Sequence, residues 1–170
     1  MLEYAKKHEE KLRQIFFDTA FNSYYMYENF YSYREVLKLS DDTWNENHFV
    51  SIYNYEIIGF IAYRIKRDVN STHGLIISHF GDYKQNKYIF GKDVMTAIKD
   101  IFEKYNFNKI NFSVAVGNPV EKTYDRLVKH YNGRIVGIKE QEIRLIDGRL
   151  YDEKMYEILA VDYYGKKNRD

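Results

Sequence analysis

The chain has 170 residues, enough for one domain with its own core and cramped for two. Its 18 Tyr and 11 Phe exclude a disordered chain despite a mean hydropathy of -0.61. A net charge of +1 offers no bulk attraction for nucleic acid or membrane, and the lack of Cys excludes disulfides, thiolate metal sites and a cysteine nucleophile. No apolar run reaches the length of a membrane span, and the opening MLEYAKKHEEKLRQ is too charged for a signal peptide. A cytoplasmic domain is the expectation.

In chain order, residues 2–5 allow a short strand. His8 to Phe21 reads as a helix with Leu12, Ile15, Phe16 and Ala20 on one face. Residues 21–46 are aromatic and irregular, a second helix and a loop. His48 to Tyr53 and Glu56 to Arg67 read as strands joined by a tight turn at Asn54-Tyr55, and Thr72 to Phe80 as another. A loop from Gly81 to about Phe90 then leads to a helix from Lys92 to about Tyr105, where Val94, Ala97, Ile98, Ile101 and Phe102 recur at helical spacing. Lys109 to Val116 alternates as a strand. A helix from Pro119 to about Tyr131 precedes a strand from Arg134 to about Ile146. After a turn at Asp147-Gly148, a last strand runs from Met155 to Tyr164. Residues 1–164 form a single domain, and 165–170 a flexible basic tail. The strand–helix–strand over 72–116 is a crossover, which requires a parallel pair in an otherwise antiparallel sheet.

The only proline, Pro119, follows Asn118 at a helix start. Asn118 suits the N-cap, Pro119 the first helical position and Glu121 the third, a capping-box-like set. Read locally, Asn118 is a cap, and Tyr124 belongs to the core face with Val120, Leu127, Val128 and Tyr131.

The run of strand, Asn118, helix with Tyr124, short turn, Gly133 and strand also resembles the C-terminal half of the GCN5-related N-acetyltransferase (GNAT) superfamily. The segment Gly74 to Tyr105 is similar to that family's acetyl-CoA segment, and RLIDGRLYDEKMYEILAV to its last two strands. The family's phosphate loop usually reads Arg/Gln-x-x-Gly-x-Gly/Ala; aligned on Val94-Met95, this chain has Asn86-Lys87-Tyr88-Ile89-Phe90-Gly91, matching only at the last Gly. The resemblance implies a GNAT-like α/β fold: a mixed, mostly antiparallel central sheet with helices on both faces and one parallel, splayed strand pair.

It also implies an acyl-CoA-dependent N-acyltransferase moving an acetyl group from acetyl-CoA to an amine by direct attack. The alternative is a catalytically degenerate binding or assembly module. The pantetheine arm would enter between the splayed strands, bonding to backbone around His79, Phe80 and Gly81. The pyrophosphate would sit at the helix start near Asn86, Lys87, Gly91 and Lys92, since a helix N-terminus presents unpaired N–H groups and positive potential; the same lysines also read as ordinary solvated charges. Asn118 falls in the cofactor set. Tyr124 takes the place of the proton donor to the departing thiolate, with Tyr131 as fallback. His79 stands where a base is often found, or is a strand histidine satisfied by its neighbours. Tyr27, Glu28 and Tyr31 lie in the segment that would build the acceptor pocket. Aromatic faces beside carboxylates suit a cationic small-molecule or peptide amine; they also suit an amphipathic helix with a solvated acidic face. No nucleic acid, membrane or metal is expected, and the chain would be a monomer or homodimer.

Overall fold

The computed structural model describes residues 1–20, 39–81, 83–145 and 147–167. The elements are β1 (Leu2–Tyr4), α1 (Glu9–Ala20), β2 (Glu46–Tyr53), β3 (Glu56–Lys66), β4 (Ser71–His79), α2 (Tyr83–Lys99), β5 (Lys109–Ala115), α3 (Glu121–His130), β6 (Arg134–Arg144), β7 (Leu150–Leu159) and α4 (Ala160–Lys167). A π-helical turn over Asp100–Lys104 ends α2. The seven strands form one sheet in the order β1-β2-β3-β4-β5-β7-β6. Every neighbouring pair is antiparallel except β4 and β5. The mixed α/β fold expected from the sequence is therefore the one adopted. The expected second helix over 21–46 lies mostly outside the described residues. Among those described, no helix is long and apolar enough to cross a membrane.

Two apolar clusters cover opposite faces. On one, α2, α3 and α4 pack on Ile61, Tyr63, Leu75, Ile77, Ile110, Phe112 and Tyr156. On the other, Leu12 and Phe16 of α1 meet Val50, Phe60 and Ala62. Covered from both sides, β3 is buried without a break from Ile57 to Tyr63, the pattern of a central strand. A side chain at Gly59 would meet the Phe90 ring at 2.2 Å, so its lack of a Cβ lets α2 press onto β3.

The bounds of α2, β7 and α3 differ from the sequence reading. The helix α2 begins at Tyr83 instead of Lys92, because Phe90 lies four residues before Val94 and extends the buried stripe by a turn. The last strand begins at Leu150 and stops at Leu159; Ala160–Lys167 is helical, with Tyr163 stacked on Phe102 at 4.7 Å. Gly165 to Lys167 thus belong to a helix, and Lys167 pairs with Glu103 at 2.9 Å. Finally, α3 starts at Glu121, two residues past Pro119.

Candidate active site

The parallel strands β4 and β5 pair only at Ser71–Lys109 and Thr72–Ile110. Past those residues they part, while β5 stays paired with β7 as far as Ala115. A bulge in β4 accompanies the parting. Ala62 pairs with Ile76 but Arg64 with His73, so β4 carries one extra residue there, and Gly74 takes a φ of 62° that a residue with a Cβ rarely adopts.

The gap opens into a cavity of about 1090 Å³. Val94 and Met95 of α2 and Tyr124 and Leu127 of α3 line it on one face of the sheet. His48, Ala62, Arg64, Ile76 and Ser113 line it on the other. The cavity therefore passes between the splayed strands from face to face. Its charged lining among the described residues is Arg64, Lys87, Lys92 and Arg126, with no carboxylate.

Tyr124 is buried, and its hydroxyl donates to the Leu75 carbonyl at 3.1 Å, beside the bulge. Its ring meets Phe112 edge-on at 4.9 Å and Tyr156 at 5.9 Å. The core role and the cleft position are thus both real: the ring packs, and the hydroxyl sits where the strands part. Tyr131 stands outside the cavity lining. Its hydroxyl reaches Met95 Sδ at 3.3 Å, and burial pushes its pKa up to about 12.

Asn118 lines the cavity and caps the turn before α3, its Oδ1 accepting from the Val120 N–H at 2.9 Å. Glu121 answers one residue earlier than a capping box requires, accepting from the Gly117 N–H at 2.9 Å. Three more sequence candidates, Lys87, Gly91 and Lys92, line the cavity, but from inside α2. The N–H groups of Gly91 and Lys92 fall in the helix interior, where each is used by a carbonyl four residues back. The open N–H groups lie about two turns earlier, in the first turn after Tyr83. Asn86 is in that helix but outside the lining. Phe80 turns its ring to Phe16 of α1 at 5.4 Å and gives its N–H to Ile58, and Gly81 is exposed with a φ of 75°.

His79 lines the cavity beside Phe90, ring centres 5.4 Å apart; burial, then nearby Lys87, holds its pKa below the ordinary value. It lies four residues past Leu75, roughly 13 Å along the strand from the Tyr124 hydroxyl. The two catalytic candidates thus occupy different ends of one cavity. Tyr27, Glu28 and Tyr31 lie outside the described residues. Sequence reasoning missed His48 and Ser113. Each is one polar residue among several on its strand, and alternation alone does not tell a cavity from solvent.

No protein-family model and no curated protein matches the chain. Solved structures do. A point variant of spermidine N-acetyltransferase SpeG from Vibrio cholerae is 23% identical with a TM-score of 0.71, the match covering 98% of this chain and 99% of that one. Two provisionally assigned acetyltransferases, the second from T. thermophilus, are 19% and 18% identical with TM-scores of 0.57 and 0.58. Those matches cover 76% and 73% of this chain, and it spans 64% of the length of each. Likeness at these identities speaks for the fold, and the splayed β4–β5 pair with its bulge sits within it: the chain has the fold of the GCN5-related N-acetyltransferase superfamily.

Proposed function

We propose that the chain is an acyl-CoA-dependent N-acyltransferase that moves an acetyl group from acetyl-CoA to an amine. The observation that carries this is the cleft: parallel strands parted beyond Thr72 and Ile110, opening a cavity whose described charges are all cationic. An extended pantetheine arm fits a strand-shaped gap, because the parted strands leave backbone groups on both rims without ladder partners. Lys87, Lys92 and Arg126 suit the phosphates of CoA, and the first turn of α2 adds N–H groups at the C-terminal end of β4.

In the reaction the amine nitrogen forms a bond to the acyl carbon while the carbon–sulfur bond breaks. The amine proton leaves through water. The thiolate takes a proton from Tyr124, whose hydroxyl is held at the parting of the strands. His79 is assigned to the cofactor's path because of its distance along β4. Phe80, Gly81 and Asn118 keep backbone or cap roles along the same path, and Tyr27, Glu28 and Tyr31 remain the proposed acceptor wall. A cytoplasmic protein, a monomer or homodimer, and a single domain that takes in α4 complete the reading.

One observation favours the second reading, a binding module without catalysis: the stretch aligned with the family's phosphate loop is helical, with one glycine. Calorimetry with acetyl-CoA tests what the transferase requires. Saturable 1:1 binding supports the transferase; no heat at millimolar ligand overturns it.

A further inference from the structure

Ser113 stands one residue beyond Phe112, whose ring touches Tyr124, but on the opposite face of β5. It is three residues past Ile110, the last β5 residue paired with β4, and it lines the cavity. Its hydroxyl donates to Glu153 Oε1 on β7 at 2.7 Å. That bond uses the hydroxyl proton and leaves the oxygen's lone pairs for a donor arriving from the cleft. The Glu153 side chain, 16% exposed, is held from its far side by Lys139 at 3.2 Å. The strand level thus carries two hydroxyls of opposite disposition: Tyr124 as donor on the α2–α3 face, Ser113 as acceptor on the other.

We propose that Ser113, with its proton held by Glu153, is the binding site for the ammonium of a primary amine, which approaches the cleft from the face opposite α2 and α3. This rests on the acyltransferase reading for its purpose, though not for its test. An ammonium brings donors, which Ser113 Oγ accepts, and a positive charge, which Glu153 favours at one remove. An anion or a neutral carbonyl brings neither. Lys139 offsets part of the Glu153 charge and Arg64 lines the same face, so affinity comes from the oriented hydroxyl and not from long-range attraction.

The probe is n-butylamine, a bare ammonium at neutral pH, titrated into the full chain with amide and side-chain chemical shifts followed by NMR. Saturable shifts centred on Ser113 and Glu153 are expected. Ser113→Ala and Glu153→Gln should each weaken binding by about 10-fold or more, the scale of one lost hydrogen bond to a charged group. Lys139→Met, which breaks the same ion pair without touching Ser113, should leave binding as tight or tighter. No shift at Ser113 in the parent protein overturns the proposal. So does binding unchanged in folded Ser113→Ala, or lost in Lys139→Met, which would make the carboxylate's anchoring the relevant feature. Acetyl-CoA binding is measured separately by calorimetry on the same preparation. Its failure with amine binding intact removes the transferase reading and leaves an amine site; the converse removes only this proposal.

Discussion

Tyr124 carries two roles that one substitution separates. Tyr124→Phe keeps the ring against Phe112 and Tyr156 and removes only the hydroxyl bound to Leu75. The fold should survive with a loss of about 1 kcal/mol, the ordinary net value of one hydrogen bond. Turnover should fall roughly 10²-fold, the scale of general-acid catalysis, with acetyl-CoA affinity unchanged within a few-fold. Tyr131→Phe should leave turnover alone, because its hydroxyl serves Met95. The check is steady-state rates and calorimetry on both variants once an accepted amine is in hand. Equal turnover in the parent and Tyr124→Phe would remove the tyrosine acid.

At the scale of elements, α2 and α3 each give a test. Gly91 lies inside α2 with nothing within 4 Å of where a Cβ would stand. Gly91→Ala should therefore stabilise the protein by about 0.5–1 kcal/mol, the helix-propensity difference, and leave CoA binding intact. A glycine that let the backbone approach a pyrophosphate would behave in the opposite way. Thermal melts and calorimetry distinguish them.

α3 is tied to β7 by Lys154, whose ammonium donates to Asp125 at 2.7 Å and to Glu121 at 3.0 Å, while the Tyr156 hydroxyl donates to Asp125 at 2.9 Å. The bond from Lys154 is the main reason the Asp125 carboxyl titrates below its ordinary value of 3.8. A carboxyl lowered in the folded state contributes stability above its unfolded value and loses it as pH falls through the folded one. Lys154→Met should accordingly lower the melting temperature most near neutral pH. The gap to the parent should close as the pH drops below 3.8. A gap independent of pH would assign Lys154 to packing alone.

At the scale of the whole molecule, a ligand that binds only the folded chain stabilises it by mass action. Acetyl-CoA at about 100 times its Kd should raise the melting temperature by about 5–10 °C for a chain of this size. Because the described charges lining the cleft are cationic, that shift should shrink as salt is added. A shift insensitive to salt would place the phosphates away from Lys87, Lys92 and Arg126.

Much of this architecture was legible in the sequence because it depends on local rules. Alternation marked β5 and strand-like runs marked β2, β3 and β4, and the tight turn at Asn54-Tyr55 is there with both residues at positive φ, 49° and 64°. Asn118 read as a cap because its chemistry acts over two residues. The crossover over 72–116 implied the sheet's parallel pair, and the resemblance its splaying and the proposed role of Tyr124, but neither gave the direction of that hydroxyl. What local rules do not contain was decided by packing. Gly91 reads as a loop residue, yet Phe90 is buried against Gly59, and that contact holds the helix back to Tyr83. The last strand reads on to Tyr164 on paper, but Tyr163 finds Phe102 and the chain turns helical at Ala160. The cavity itself is the clearest case. Ser113 and Tyr124 are eleven positions apart in the sequence and have nothing in common there; a single bulge at Gly74 and the parting of two strands bring them to one opening, because a gap in a hydrogen-bond ladder is a property of two strands and is written in neither.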